Sequence, residues 1–103
     1  MYTIWKYPFE VKNSDNCPAF FKLEMTKGAE ILSVQTQKNV PCIWAAVTPG
    51  KRIENRKFFV FRTGQLFEGN TAKLKFIGTF QLLNGTYVGH LFEEVGIISL
   101  LLN

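Results

Sequence analysis

Few residues in this sequence are of a type that does chemistry. It has one histidine, His90, one aspartate, Asp15, and two cysteines, Cys17 and Cys42. A zinc site needs three or four soft ligands at set spacings, and one imidazole with two scattered thiols matches no such pattern. A nucleophile pair of Cys42 or Cys17 with His90 is open by count. Cys42, however, stands beside Ile43 and Trp44 and reads as a buried small hydrophobe. Glu93 and Glu94 are adjacent, so in a strand they point to opposite faces and share no site. Thr48-Pro49-Gly50-Lys51 compares with the end of a phosphate-binding loop, but the earlier glycine is missing and Arg52 replaces the required hydroxyl. These residues predict a protein that is not an enzyme and uses neither metal nor cofactor.

Binding is a different matter. Lys51, Arg52, Arg56 and Lys57, with Arg62 further along the same strand, form the most electropositive stretch. One interpretation is a solvated segment that keeps the protein in solution. The sharper one is an anion site, because arginine forks hold phosphate through paired hydrogen bonds and nearby aromatics stack a base. Trp44 and Trp5 could form such a platform, although tryptophan in a strand also serves as core. The last hairpin adds Thr79 opposite His90, polar groups among apolar ones, as a ligand pocket or subunit interface requires. The candidate ligand-binding residues are therefore Trp44, Arg52, Arg56, Arg62, Thr79 and His90.

These residues need a frame, and the sequence describes one made of strands. Residues 2–11 alternate, with Trp5, Tyr7, Phe9 and Val11 on one face and Pro8 marking an edge strand. Residues 13–18 are a turn cluster. Phe21, Leu23 and Met25 alternate with Lys22 and Glu24, and Gly28 ends that run. Residues 31–37 are the ambiguous segment: their Val, Thr and Ile content favours a strand, while Ala29, Leu32 and the absence of glycine or proline would permit a short helix. Residues 41–48 are apolar on both faces, the mark of a central strand, and Pro49-Gly50 closes them in a type II turn. Residues 51–55 read as a polar loop, residues 56–63 as a second strand apolar on both faces, and residues 64–71 as a longer connection.

The sharpest local signal is Asn84-Gly85, the preferred pair for a type I′ hairpin turn. It sets Leu83 against Thr86, Phe80 against Gly89 and Gly78 against Leu91. A large ring over a cross-strand glycine repairs the hole that glycine leaves. Extended along the strands, this register predicts a core face of Phe76, Gly78, Phe80, Leu82, Tyr87, Gly89 and Leu91. It predicts a mixed face of Ile77, Thr79, Gln81, Val88, His90 and Phe92.

Composition agrees with this. The chain has 103 residues, 15% of them aromatic, with ten phenylalanines, which favours pleated surfaces. The expectation is all-β: a small antiparallel barrel or sandwich of about six to seven strands in one domain over residues 1–103. A net charge of +4, from 12 basic and 8 acidic residues, suits anionic partners and excludes an acidic DNA mimic. It falls short of a dedicated nucleic-acid arm. The N-terminal residues have no export-signal pattern, so reduced cysteines are expected and the match of residues 84–86 to a glycosylation sequon reads as chance. The apolar run at residues 95–102 is too short to span a bilayer, which takes about 20 residues. Such a run needs covering, which favours a homo-oligomer.

The distinctive words of the chain are Trp5-Lys6-Tyr7-Pro8-Phe9, Lys27-Gly28-Ala29-Glu30-Ile31-Leu32-Ser33-Val34-Gln35, Val40-Pro41-Cys42-Ile43-Trp44-Ala45, Thr63-Gly64, Phe76-Ile77-Gly78-Thr79-Phe80-Gln81 and Gly89-His90-Leu91-Phe92-Glu93. Together, from Trp5 to Glu93, they resemble a family of small bacteriophage and prophage proteins. That family often carries histidine after its Thr-Gly pair, where this chain has Gln65, and tends to end near Glu93. The resemblance implies an accessory protein of a phage, expressed in the bacterial host cytoplasm. Small accessory proteins of that kind act mostly by binding. The leading expectation is therefore a counter-defence protein that sequesters a nucleotide-derived signal. The alternatives are an inhibitor that docks on a host defence protein and a minor virion or nucleic-acid accessory component.

Overall fold

Alternating side chains and positive-φ turns together dictate what forms. The computed structural model describes residues 1–12, 18–67 and 71–95. Among them are seven strands: β1 (Thr3–Pro8), β2 (Ala19–Thr26), β3 (Glu30–Gln37), β4 (Val40–Val47), β5 (Ile53–Arg62), β6 (Leu74–Leu82) and β7 (Tyr87–Glu94). Two short 3-10 turns, Thr71–Lys73 and Leu83–Gly85, complete the elements. All strand pairs are antiparallel, in a three-stranded sheet ordered β1-β4-β3 and a four-stranded sheet ordered β2-β5-β7-β6. The all-β fold expected from the sequence forms, and of barrel and sandwich it takes the sandwich. No helix among the described residues is long and apolar enough to cross a membrane.

The inner faces of the two sheets meet in one cluster that includes Phe9, Met25, Val34, Ile43, Val47, Phe58, Val60, Phe80 and Leu91. β4 is central in its sheet, with Ile43, Ala45 and Val47 buried, and β1 is an edge that ends at Pro8. An edge strand tolerates a residue without an N–H. At the opposite side β3 approaches β6, where the Thr36 hydroxyl donates to the Gln81 carbonyl at 2.7 Å. Gly78 makes that approach possible, since a Cβ there would lie 2.8 Å from Val34 Cγ1.

The Asn84-Gly85 turn forms with both residues at positive φ, 55° and 86°, closed by Thr86 N–H donating to the Leu83 carbonyl at 3.1 Å. Phe80 pairs with Gly89, and Gly78 with Leu91, as the turn requires. The ladder closes at Leu82 and Tyr87 rather than at Leu83 and Thr86, because Leu83 itself takes φ 53° and gives its N–H to Asn39 Oδ1.

Two expectations need correction. Residues 53–55 are not loop: they pair with Thr26, Met25 and Glu24 as the start of β5. A β-bulge also interrupts β6, so Phe76 pairs with Phe92 while Gly78 pairs with Leu91. One extra residue reverses every side chain beyond it. Ile77 turns toward the core, and Phe76, expected inside, stands 55% exposed on the outer face. The turn cluster at residues 13–17, part of the connection after Gln65 (residues 68–70) and the tail beyond Val95 lie outside the described residues.

Candidate functional site

The bulge in β6 has a direct effect on the solvent face of the four-stranded sheet. Phe20 pairs with Phe59, Phe59 with Phe92, and Phe92 with Phe76. One row of phenylalanine thus crosses all four strands on the side away from the core. Phe20 and Phe59 rings lie 5.2 Å apart, as do Phe76 and Phe92. Phe61 joins the row by an edge contact to Phe92 at 5.3 Å, and Phe67 lies against Phe61 at 4.1 Å. A row of this kind left to water is what interaction surfaces display.

Beside the row, at the β5–β7–β6 end, the rings enclose a groove of about 310 Å³, at the small end of ligand pockets. Its walls are Phe61, Phe67, Phe76 and Phe92, and its polar end comprises Arg62, Thr63, Gln65 and His90. Among the described residues, no carboxylate lines it. The polar end is held by short hydrogen bonds. Thr63 Oγ1 lies 2.6 Å from His90 Nε2, and Thr79 Oγ1 lies 2.9 Å from His90 Nδ1. In a neutral imidazole one nitrogen donates and the other accepts. Whichever tautomer forms, one threonine must accept from the ring, and its own hydroxyl proton is left to donate elsewhere. A protonated ring frees both hydroxyl protons. The polar end therefore offers the hydroxyl donors of Thr63 and Thr79 beside the imidazole.

The turn at residues 62–65 aims Gln65. Gln65 N–H donates to the Arg62 carbonyl, and Arg62 N–H donates to Gln65 Oε1, both at 3.0 Å. Gly64 at φ 82° allows the tight return. This leaves Gln65 Nε2 buried with no hydrogen-bond partner. Arg62 is also felt on the inner side: burial pushes the Tyr87 phenol up, and the Arg62 charge opposes it.

The six residues singled out from sequence fall in different places. Thr79 and His90 come together beside the groove, whereas Arg62 borders it but, by strand alternation, turns its side chain to the core side, with Val60 and toward Tyr87. Trp44 lies on the outer face of the other sheet, with Lys6 Nζ 5.9 Å from its ring centroid. Arg52 is exposed after the Gly50 turn, where its carbonyl accepts from Lys27 N–H. Arg56 turns inward. Its Nε and Nη2 donate to the two Glu93 oxygens at 2.5 and 2.8 Å, and Nη1 donates to the Ala29 carbonyl at 2.5 Å. The guanidinium pKa is raised, first by the Glu93 hydrogen bond. Its fork is engaged inside the protein, so the basic stretch does not act as one anion site. Lys57 is occupied more loosely, 3.9 Å from Glu94.

A second, larger cleft of about 510 Å³ lies over the Arg56–Glu93 pair, with Glu30, Glu54 and Lys75 among its lining residues. The pair at its base is already mutually satisfied. Cys42 is buried and free, and among the described residues no cluster of histidine, cysteine and carboxylates could hold a metal ion.

Sequence reasoning missed the phenylalanine row, Thr63 and Gln65. The available signal was phenylalanine on both faces of residues 20–21 and 58–61, one more apolar face than a two-layer core uses. A family model described as a domain of unknown function, DUF7352, matches residues 1–97. No curated protein and no solved structure matches the chain.

Proposed function

The chain belongs to the DUF7352 domain family, and from its groove we propose that it is a binding protein, not an enzyme, which captures an anionic, planar ligand of the nucleotide type. One observation carries this reading: the groove joins four phenylalanine walls to a polar end of Thr63 and His90, with no carboxylate among its described lining residues. Rings stack on aromatic side chains whatever the base, and the threonine hydroxyls and His90 suit phosphate or carbonyl oxygen. The resemblance to small phage and prophage proteins supports a setting in the bacterial cytoplasm, where sequestering a host signalling nucleotide would serve counter-defence.

Calorimetry against cyclic mono- and dinucleotides and ADP-ribose-type molecules tests the proposal. Binding is expected for at least one of them, weakened about tenfold or more by His90→Ala, since it removes the ring that holds both threonine hydroxyls. No heat with any member, at protein concentrations well above micromolar, would sink it. A comparable loss in Trp44→Ala would instead place the ligand on the other sheet.

The second reading is an inhibitor that docks on a host protein, and the Phe20–Phe59–Phe92–Phe76 row favours it. Aromatic side chains are enriched in the dry centre of protein interfaces. Under this reading a lysate pull-down retains a stoichiometric protein, and Phe20→Ser with Phe76→Ser releases it. Retention that survives both substitutions rules the row out as the contact.

A further inference from the structure

We infer that the ligand is two linked nucleotides, because Phe20 and Phe59 form a second stacking station beside a pair of lysines on the same sheet face. This rests on the groove being the first station. Rings join the two. Phe20 and Phe59 lie 5.2 Å apart, Phe59 lies 6.4 Å from Phe61, and Phe61 walls the groove. Phe20 is 50% exposed, so its ring is open to a base. Two strand intervals, about 10 Å, separate β2 from β7. Neighbouring nucleotides of a single strand bridge such a gap with their bases splayed apart.

The charges call for a phosphate at this station. Lys22 pairs with Lys57 directly across β2 and β5, next to the Phe20–Phe59 pair on the same face. The residues between, Phe21 and Phe58, stack on one another and pack inward. Like charges directly opposite weaken a sheet, and an anion between them turns repulsion into attraction. Lys22 is exposed and has no carboxylate partner among the described residues, while Lys57 reaches Glu94 only at 3.9 Å. Glu24 stands one row further from the rings and pairs with neither lysine. A phosphate over Lys22 and Lys57 leaves its base over Phe20 and Phe59. Cations along the backbone and rings under the bases are how single strands are held without regard to sequence. A protein partner would cover the rings as well, but would answer the lysines only by bringing an anion to the same point.

Calorimetry on the whole chain with adenosine monophosphate and the linear diadenylate pApA tests this. The diadenylate is expected to bind about tenfold or more tightly, equal to about 1.4 kcal/mol. Phe20→Ser and Lys22→Gln should each bring it down toward the affinity of the mononucleotide, and Lys22→Gln should also flatten its salt dependence. In the wild-type protein, the backbone amide resonances of Phe20 and Lys22 should shift with pApA at concentrations where the mononucleotide leaves them in place, a readout independent of whether a variant folds. Equal affinities, or a gain with both amides unmoved, overturns the inference and leaves the groove as the binding site. Equal affinities with a wild-type chain that sediments as a dimer, and a Phe20→Ser chain that does not, overturns it in favour of a second copy on the row. Silence from both nucleotides overturns it too, and takes the groove with it only if the cyclic and ADP-ribose-type molecules also give no heat.

Discussion

Glu93→Ala is expected to lower stability by about 3–5 kcal/mol, the range seen when one member of a buried ion pair is removed. Glu93 is 7% exposed and takes both ends of the Arg56 fork. Without it the guanidinium stays charged, desolvated and tied only to the Ala29 carbonyl. That remaining bond matters to the architecture. Ala29 lies in the turn that carries the chain from β2 in one sheet to β3 in the other, so Arg56 links β5, β7 and the crossover. Arg56→Met should cost less than Glu93→Ala, because an orphaned carboxyl can neutralise itself with a proton and an orphaned guanidinium cannot.

The double substitution Arg56→Met with Glu93→Leu should recover most of the loss, since apolar groups of similar volume often replace a buried pair without penalty. Thermal unfolding reads all three, with about 4–8 °C expected per kcal/mol in a domain of this size. A loss below about 1 kcal/mol in Glu93→Ala would mean the pair behaves like a surface contact. The double variant has a second use. If it folds and still binds ligand, Arg56 is a structural residue, and the polar contact lies with the His90 cluster.

How much of this was legible before the fold was known depends on where each signal sits. The β6–β7 register was legible because Asn84-Gly85 is a local device whose φ values decide the pairing of its neighbours. Thr79 beside His90 followed from it. Phe76 was not legible in the same way. The bulge at Ile77 borders Gly78, and a glycine inside a strand marks a bulge or a close approach, but the hairpin register uses Gly78 only as the partner of Leu91 and leaves its contact with β3 unseen. The fate of Arg56 was hidden because its partner lies 37 residues away, and a count of charges along a chain says nothing about which face they take. Thr63, 27 residues from His90, was hidden for the same reason. The phenylalanine row needed the strand order β2-β5-β7-β6, which no single segment encodes. The hairpin at Lys38 and Asn39, both at positive φ, lacks the glycine that usually announces such a turn.

The Phe80–Gly89 pairing gives the sharpest energetic prediction. Phe80 is 3% exposed and lies over Gly89, where an added Cβ would meet Phe80 Cζ at 2.7 Å and Val60 Cγ1 at 2.9 Å. Phe80→Ala is expected to cost about 3–5 kcal/mol, the range for emptying an aromatic site in a core. The loss includes ring contacts with Phe9 at 5.7 Å and Tyr87 at 6.3 Å. Gly89→Ala should cost about 1–3 kcal/mol for the opposite reason, an extra methyl forced into filled space. The two faults occupy the same volume, so they should not add. With the Phe80 ring gone, the methyl that Gly89→Ala introduces enters part of the hole and keeps only its conflict with Val60. The double variant should therefore be more stable than the sum of the single losses predicts. Distant sites add within about 0.3–0.5 kcal/mol, so a urea-denaturation cycle giving additivity inside that margin would refute the packing of Phe80 on Gly89. A shortfall of about 1 kcal/mol or more would establish that this ring and this glycine act as one unit, and with them the register that aligns Thr79 with His90.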